Sequence, residues 1–254
     1  MAVASAEVER ASGVGSHARW VRISHGIVGL SLLTLAFTGV LILMVHPRLY
    51  WGEVGNDLTP ALIELPISRN HQHGGWENAT PFQNAPGAVS ASRTFDIFNQ
   101  NGWARSLHFL AGWCLVLPGI VYLLAGLGGG HFRSHIWPKS VELAPRLVWR
   151  DLLAHLQVRF PPGTGGPHYG LLQKCAYSFV VFVAAPLIVI TGLAMSPAVT
   201  AAVPFLLTLF GGYQSARTIH FFTFAALLMF VLVHVVMVVR SGFRRQIKAI
   251  TLGD

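Results

Sequence analysis

The sequence predicts an all-α membrane protein with four transmembrane helices. Of its 254 residues, 53% are hydrophobic and 11% are charged, whereas soluble domains carry roughly 25% charged residues. Four apolar windows each contain the ~20 residues that a spanning helix needs. The first is too long, and lacks the small-residue cleavage site, for a removed signal peptide. The windows cover about 20–45, 104–127, 172–195 and 216–239.

The distribution of basic residues predicts that both termini lie in the cytoplasm. The net charge is +8, and lysines and arginines are concentrated before the first window, between the second and third, and after the fourth. The positive-inside rule places these segments in the cytoplasm, with the chain crossing the membrane four times. The basic excess therefore reports topology and lipid contact rather than nucleic-acid binding.

These windows divide the chain into a four-helix domain, two tails and two long connections. The periplasmic insertion lacks strong periodicity, which is typical of a functional or docking loop. The cytoplasmic loop includes a predicted amphipathic helix from Ala144 to Phe160, suited to lie on the membrane surface. The predicted parts are a tail 1–18, a helical domain 19–245 with insertion 46–103 and loop 128–171, and a tail 246–254.

Two histidines in the fourth window, His220 and His234, are fourteen residues apart. A helix rises ~1.5 Å and turns ~100° per residue, so the rings are separated by roughly 21 Å and share one face. Each ring then lies near one surface of a hydrocarbon core about 30 Å thick. Ionisable side chains are costly there and are usually functional. Because neutral imidazole is a strong axial ligand for haem iron, the helix could bind one side of two haems.

Two further histidines, His25 and His108, begin the first and second windows. With the amino terminus inside, His25 lies at the depth of His234, and His108 at the depth of His220. We therefore predict two bis-histidine haems within the four-helix bundle, with axial pairs His25/His234 and His108/His220. The alternative for each histidine alone is a hydrogen bond to a neighbouring helix.

An arginine precedes three of these histidines by three residues, which places it one turn nearer the water on the same face. Such an arginine is suited to pair with a haem propionate. Gly29 and Gly112, four residues after the first two histidines, would let a flat macrocycle approach the helix. The three pairs are Arg22 with His25, Arg105 with His108, and Arg217 with His220.

The other histidines are weaker candidates. His46, His71 and His73 are interpreted as solvated loop residues in preference to a metal site, because no third ligand flanks the last two. On the cytoplasmic side, His131 and His135 could assist proton movement to a quinone, and Lys174 is a further candidate there.

These motifs resemble the bacterial di-haem cytochrome b family, whose members are membrane subunits of formate dehydrogenases, nickel–iron hydrogenases and thiosulfate reductase. The first-span Arg22-Ile-Ser-His25, the second-span Arg105-Ser-Leu-His108 and the paired fourth-span histidines carry the likeness. The segment His46-Pro-Arg-Leu-Tyr-Trp-Gly52 is similar to the thiosulfate-reductase-type branch, which often accompanies periplasmic molybdopterin oxidoreductases. The resemblance implies a multi-pass protein of the bacterial inner membrane, with two haem b groups, a quinone site on the cytoplasmic side and a periplasmic redox partner.

Three functions follow as hypotheses. The leading one is a respiratory-chain subunit that moves electrons between the quinone pool and a periplasmic, molybdopterin-dependent oxidoreductase. The second is a self-contained, quinone-linked cytochrome that reacts with a small redox substrate such as superoxide, in a pocket to which Arg93 and Arg105 would contribute. The third is a membrane anchor without a cofactor, which four depth-matched histidines disfavour.

Overall fold

The structure is a computed structural model, and it describes residues 19–56, 59–67, 101–129, 132, 137–138, 143–156, 171–240 and 242–253. The expectations for the N-terminal tail, for most of both long connections, and for His71, His73, Arg93, His131 and His135 lie outside the described residues. The predicted tail 246–254 is described up to residue 253, and most of it belongs to a helix, Phe243–Thr251.

The described chain is mostly helical. Its elements, in chain order, are α1 (Arg19–Val45), β1 (Arg48–Leu49), β2 (Ile63–Glu64), α2 (Asn101–Gly128), α3 (Pro145–Leu156), α4 (Leu171–Phe179), a π-helical turn (Val180–Ala184), α5 (Ala185–Ala194), α6 (Pro197–Ala202), α7 (Phe205–Phe210), α8 (Tyr213–Arg240) and α9 (Phe243–Thr251).

The four predicted spans are present as helices long and apolar enough to cross a membrane. Between 6 and 17% of each apolar window is buried, so most of the large apolar side chains on these helices are left to face lipid. The four helices cover Arg22–Val45, Gly102–Gly128, Leu171–Ala194 and Tyr213–Arg240.

The third span is continuous but contains the π-helical turn. Pro186 has no N–H and cannot donate to the carbonyl four residues earlier in the chain. The N–H of Ala185 bonds instead to the carbonyl of Val180, five residues back. The wider turn lets the helix continue through the proline.

The short helix predicted after Ala144 is also present, as α3.

The chain divides into two compact units. The first consists of Met1–Ile27, Pro118–Ala185 and Ala226–Asp254, as far as these are described, and the second of Val28–Leu117 and Pro186–Ala225. His25 and His234 belong to the first unit, and His108 and His220 to the second. The predicted axial pairs are therefore not divided between the units.

In the first unit, the connections are tied to the spanning helices. Asp151 on α3 accepts a hydrogen bond from the N–H of Leu172 at 2.9 Å, and so satisfies a donor in the first turn of α4. Arg22 on α1 donates to the carbonyl of Thr251 on α9 at 3.4 Å, and Ala249 of α9 is buried. The C-terminal amphipathic helix is thus joined to the first span.

In the second unit, the residues after α1 form a short antiparallel hairpin. Arg48 pairs with Glu64 and Leu49 with Ile63, and the N–H of Leu62 donates to the carbonyl of Leu49 at 2.7 Å. Leu49 and Tyr50 are fully buried. This buried segment packs on the start of α8, close to His220.

Candidate functional site

The rings of His108 on α2 and His220 on α8 are adjacent in the second unit. Their centroids are 6.4 Å apart and their planes are inclined by 58°. Two imidazoles that bind opposite sides of one metal ion need about this separation, because each metal–nitrogen bond is ~2 Å long and the ring centre lies roughly 1 Å beyond the nitrogen. The pair therefore fits the axial ligation that its sequence positions suggest.

A threonine from a different helix contacts each of these rings. Thr38 Oγ1 on α1 lies 2.9 Å from His108 Nδ1, and Thr191 Oγ1 on α5 lies 2.9 Å from His220 Nδ1. Both threonines are buried. The two histidines are thus held in the same way by spans one and three.

The hydroxyl hydrogens determine which ring nitrogen carries the proton. Thr38 Oγ1 lies 2.7 Å from the carbonyl of Thr34, and Thr191 Oγ1 lies 2.7 Å from the carbonyl of Leu187. A hydroxyl has one hydrogen, and a carbonyl can only accept, so each hydroxyl donates to its carbonyl. Each must then accept from a histidine Nδ1–H. Nε2 is left with its lone pair, which is the form of imidazole that binds a metal.

A glycine follows each threonine and lies against the same ring. A Cβ at Gly39 would be 3.4 Å from His108 Cε1, and one at Gly192 would be 3.4 Å from His220 Cε1. Larger side chains at these positions would displace the imidazoles.

The sequence analysis missed both threonines and both glycines. The dipeptides Thr38-Gly39 and Thr191-Gly192 are a visible repeat in spans one and three, but this repeat lies outside the histidine motifs on which the prediction was based. Because the third span has no histidine, none of its residues was predicted to support the haem ligands, and only Lys174 was predicted to act, on the quinone side.

The segment after α1 covers the start of the helix that carries His220. Thr218 donates to the carbonyl of Tyr50 at 2.6 Å, and Ser215 Oγ accepts from the N–H of Gly52 at 2.7 Å. The N–H of Gln214 donates to the carbonyl of Gly52 at 2.9 Å. The bond from Gln214 satisfies a main-chain donor in the first turn of α8. Together the three bonds fix the position of α8 within the two turns that precede His220.

Arg217 takes part in the same contact. Its guanidinium donates to the carbonyl oxygens of His46 and Arg48, the latter at 3.1 Å, and to Gln214 Oε1 at 3.4 Å. These bonds give Arg217 a clear role in holding the buried segment. Its predicted pairing with a haem propionate stays a prediction.

The other predicted groups of the second unit are less constrained. Arg105 is exposed on α2. At Gly29 and Gly112, a built Cβ would meet no heavy atom of the described residues within 4 Å, beyond its own helix backbone. The open space at both glycines is compatible with close approach of a planar group, as predicted.

In the first unit, His25 is exposed on α1 and borders a cavity of about 420 Å³. Arg22, the arginine predicted to pair with a propionate, borders the same cavity. A histidine and arginine side by side in a cavity are suited to bind an anionic group. The cavity is lined by Arg19, Arg22, Ile23, His25, Gly26, Ile250 and Thr251.

The ring of His234 on α8 stacks on Phe230, with centroids 6.2 Å apart and planes inclined by 15°. Phe230 in turn meets the edge of Tyr177 at 5.8 Å. Lys174, a predicted quinone-side residue, is buried on α4 of the same unit. The pairing of His234 with His25 around a second haem stays a prediction.

A sequence model of the family described as prokaryotic cytochrome b561 matches residues 16–253. The chain belongs to this family. The match includes all four candidate spans, and the family implies haem b. The resemblance to bacterial cytochrome b membrane subunits is therefore confirmed, and the Thr-held histidine pair is the structural feature that fits such a cofactor.

The chain is also similar to a putative protein-methionine-sulfoxide reductase subunit, YedZ1, of Azospira oryzae. The two are 36% identical over 222 residues, which cover 87% of this chain and 89% of the relative. The likeness thus extends over nearly the whole of both proteins. The chain is a membrane cytochrome b subunit of an electron-transferring oxidoreductase.

Proposed function

We propose that this protein binds two b-type haems and moves electrons between the membrane quinone pool and a periplasmic oxidoreductase. The observation that carries the proposal is the His108–His220 pair, with ring centroids 6.4 Å apart and a threonine hydroxyl on each Nδ1. The presence of His25 and His234 together in the first unit supports a second site.

In this proposal the chain's own residues hold and orient the cofactors. His108 and His220 present Nε2 lone pairs because Thr38 and Thr191 accept from Nδ1. His25 and His234 bind the second haem, with Arg22 placed for its propionates. Haem b, when bound, supplies a one-electron carrier within the low-dielectric interior of the membrane.

The partner is proposed from the name of the Azospira relative, a subunit of a protein-methionine-sulfoxide reductase. Oxidation of one quinol releases two electrons and two protons. Reduction of one methionine sulfoxide consumes two electrons and two protons, and yields the thioether and water. The electron counts match, and a molybdopterin enzyme in the periplasm is a suitable partner because it can collect two electrons delivered singly.

The quinone is proposed to react on the side of His25 and His234. Both termini would then lie in the cytoplasm, following the distribution of basic residues. Lys174 is a candidate for this site among the residues that the structure describes, and it is buried in the first unit. His131 and His135 are further candidates from the sequence.

The haem content of the purified full-length chain tests this proposal. We expect two haems b per chain in the reduced-minus-oxidised spectrum and pyridine extract, and one haem after His108→Ala, His220→Ala, His25→Ala or His234→Ala. His17→Ala, which changes a histidine that precedes the first span in the sequence, should keep two. Retention of two haems in His220→Ala would contradict the assigned pairs.

Electron transfer needs a separate experiment. In proteoliposomes, menadiol should reduce the haems. A purified protein-methionine-sulfoxide reductase with an oxidised peptide should then reoxidise them. Reduction by menadiol without reoxidation by the sulfoxide system would exclude this partner and leave the quinone-linked cytochrome.

A further inference from the structure

Thr38 and Thr191 make three hydrogen-bond contacts each. The longest joins each hydroxyl to the carbonyl three residues earlier, Leu35 at 3.4 Å and Ile188 at 3.2 Å, and the two shorter bonds have opposite senses. Each hydroxyl donates to the carbonyl four residues earlier in its own helix, at 2.7 Å. Each accepts from a histidine Nδ1–H of another helix, at 2.9 Å. The oxygen is therefore polarised by the bond that it donates, which makes it a better acceptor for the bond from the imidazole.

We propose that Thr38 and Thr191 set the reduction potential of the haem held by His108 and His220, and fix the orientation of its two axial rings. The inference rests on the proposed function. A hydrogen bond from Nδ1–H makes the ligating nitrogen more basic. A more basic ligand stabilises ferric iron over ferrous iron, so the two hydroxyls lower the potential.

The geometry of the threonines suits this positioning role. Threonine is β-branched, and a hydroxyl bonded to the preceding turn holds its χ1 angle. The acceptor oxygen is thus fixed by the backbone of α1 or α5 rather than by a flexible side chain. Gly39 and Gly192 let the rings lie close to these helices, with Cε1 at 3.4 Å from a built Cβ. The two rings held in this way are inclined to each other by 58°.

Redox titration of the full-length protein with both haems bound tests the inference. Valine has nearly the shape of threonine but has no hydroxyl oxygen to accept a hydrogen bond. Thr38→Val and Thr191→Val therefore remove only the bond from histidine Nδ1 and the bonds to carbonyls of the threonine's own helix. Each variant should raise the midpoint potential of one haem and leave that of the other unchanged. At a fixed ambient potential, the ratio of oxidised to reduced haem should fall roughly three- to tenfold. The ferric electron paramagnetic resonance signal of that haem should also change, because it depends on the angle between the axial rings.

Two sets of controls separate the hydroxyl from general packing. Thr38→Ser and Thr191→Ser keep the acceptor and should keep the wild-type potential. Thr34 and Thr223 donate to the carbonyls of Leu30 and Ile219 at 2.9 and 2.8 Å, with no histidine bond among the described contacts. Thr34→Val and Thr223→Val should therefore leave both potentials unchanged.

The outcomes are distinct. Unchanged potentials in both threonine-to-valine variants, or an equal shift in Thr34→Val, would overturn the inference while leaving a haem-binding protein. If a valine variant loses one haem and the matching serine variant keeps it, the hydroxyl positions the ligand, as proposed. If both lose it, the threonine acts by packing and the inference is wrong. A wild-type chain without haem would overturn the proposed function as well.

Discussion

The hydroxyl of Thr218 donates to the main-chain carbonyl of Tyr50 at 2.6 Å, and both residues are buried. This bond joins the segment after the first span to α8, two residues before His220. The ligand helix is therefore positioned by a part of the chain that is about 170 residues away in the sequence.

We expect Thr218→Val to lower the stability of the purified protein. The carbonyl of Tyr50 would lose its donor in a buried setting, which costs about 1–3 kcal/mol. A thermal melt in detergent measures the change. Thr200→Val is the matched control, because Thr200 bonds to carbonyls of its own helix region at 3.0 and 3.3 Å. If both variants lower the thermal midpoint equally, the bond to Tyr50 stabilises the protein no more than a bond within a helix does.

Arg217→Gln should also destabilise the protein, and more than Arg105→Gln. Arg217 donates charge-assisted bonds to the carbonyls of His46 and Arg48, worth about 1.5–3 kcal/mol. Arg105 is exposed, and its substitution should change stability by less than about 0.5 kcal/mol. Limited proteolysis of residues 46–67 and a thermal melt measure the effect. If Arg217→Gln keeps its thermal midpoint and instead loses a haem, propionate binding is its main role.

Gly39→Leu should remove one haem per chain. A Cβ at this position would already lie 3.4 Å from His108 Cε1, so there is no room for a longer side chain. Gly39→Ala should keep the haem, since 3.4 Å is ordinary contact. Gly102→Leu on the helix of His108 is a control, because a Cβ there meets no described atom within 4 Å. Full haem content in Gly39→Leu, by pyridine extraction, would contradict the prediction.

Gly126→Ala should destabilise the first unit. A Cβ at this position would collide with the buried ring of Phe132. That ring packs edge-on against Tyr122 and Phe182, with centroids 5.4 and 5.1 Å away. Relief requires the ring to move, at a cost of about 1–3 kcal/mol. Gly128→Ala, in open space on the same helix, should not lower the thermal midpoint. If Gly126→Ala unfolds at the same thermal midpoint as the wild-type protein, the Phe132 ring moves aside without cost.

Much of the fold could be predicted from local properties of the sequence. The four spans follow from runs of apolar residues, because the hydrocarbon core requires ~20 of them in each helix. The relation between His220 and His234 follows from helix periodicity alone, since both are on α8. The adjacency of His108 and His220 was predicted from depth, and the 6.4 Å separation of the ring centroids agrees with it.

What the sequence by itself determined is therefore the number of spans, the spacing of His220 and His234 along one helix, and the family. Only the tertiary structure decided which side chains surround the rings. Thr38 lies 70 residues from His108, and Thr191 lies 29 residues from His220. Helix periodicity gives the face of a residue on its own helix, but not the rotation of one helix against another. Those rotations are set by the packing of the helices within the unit. They bring Thr191 and Gly192, in a span without histidine, against the ring of His220.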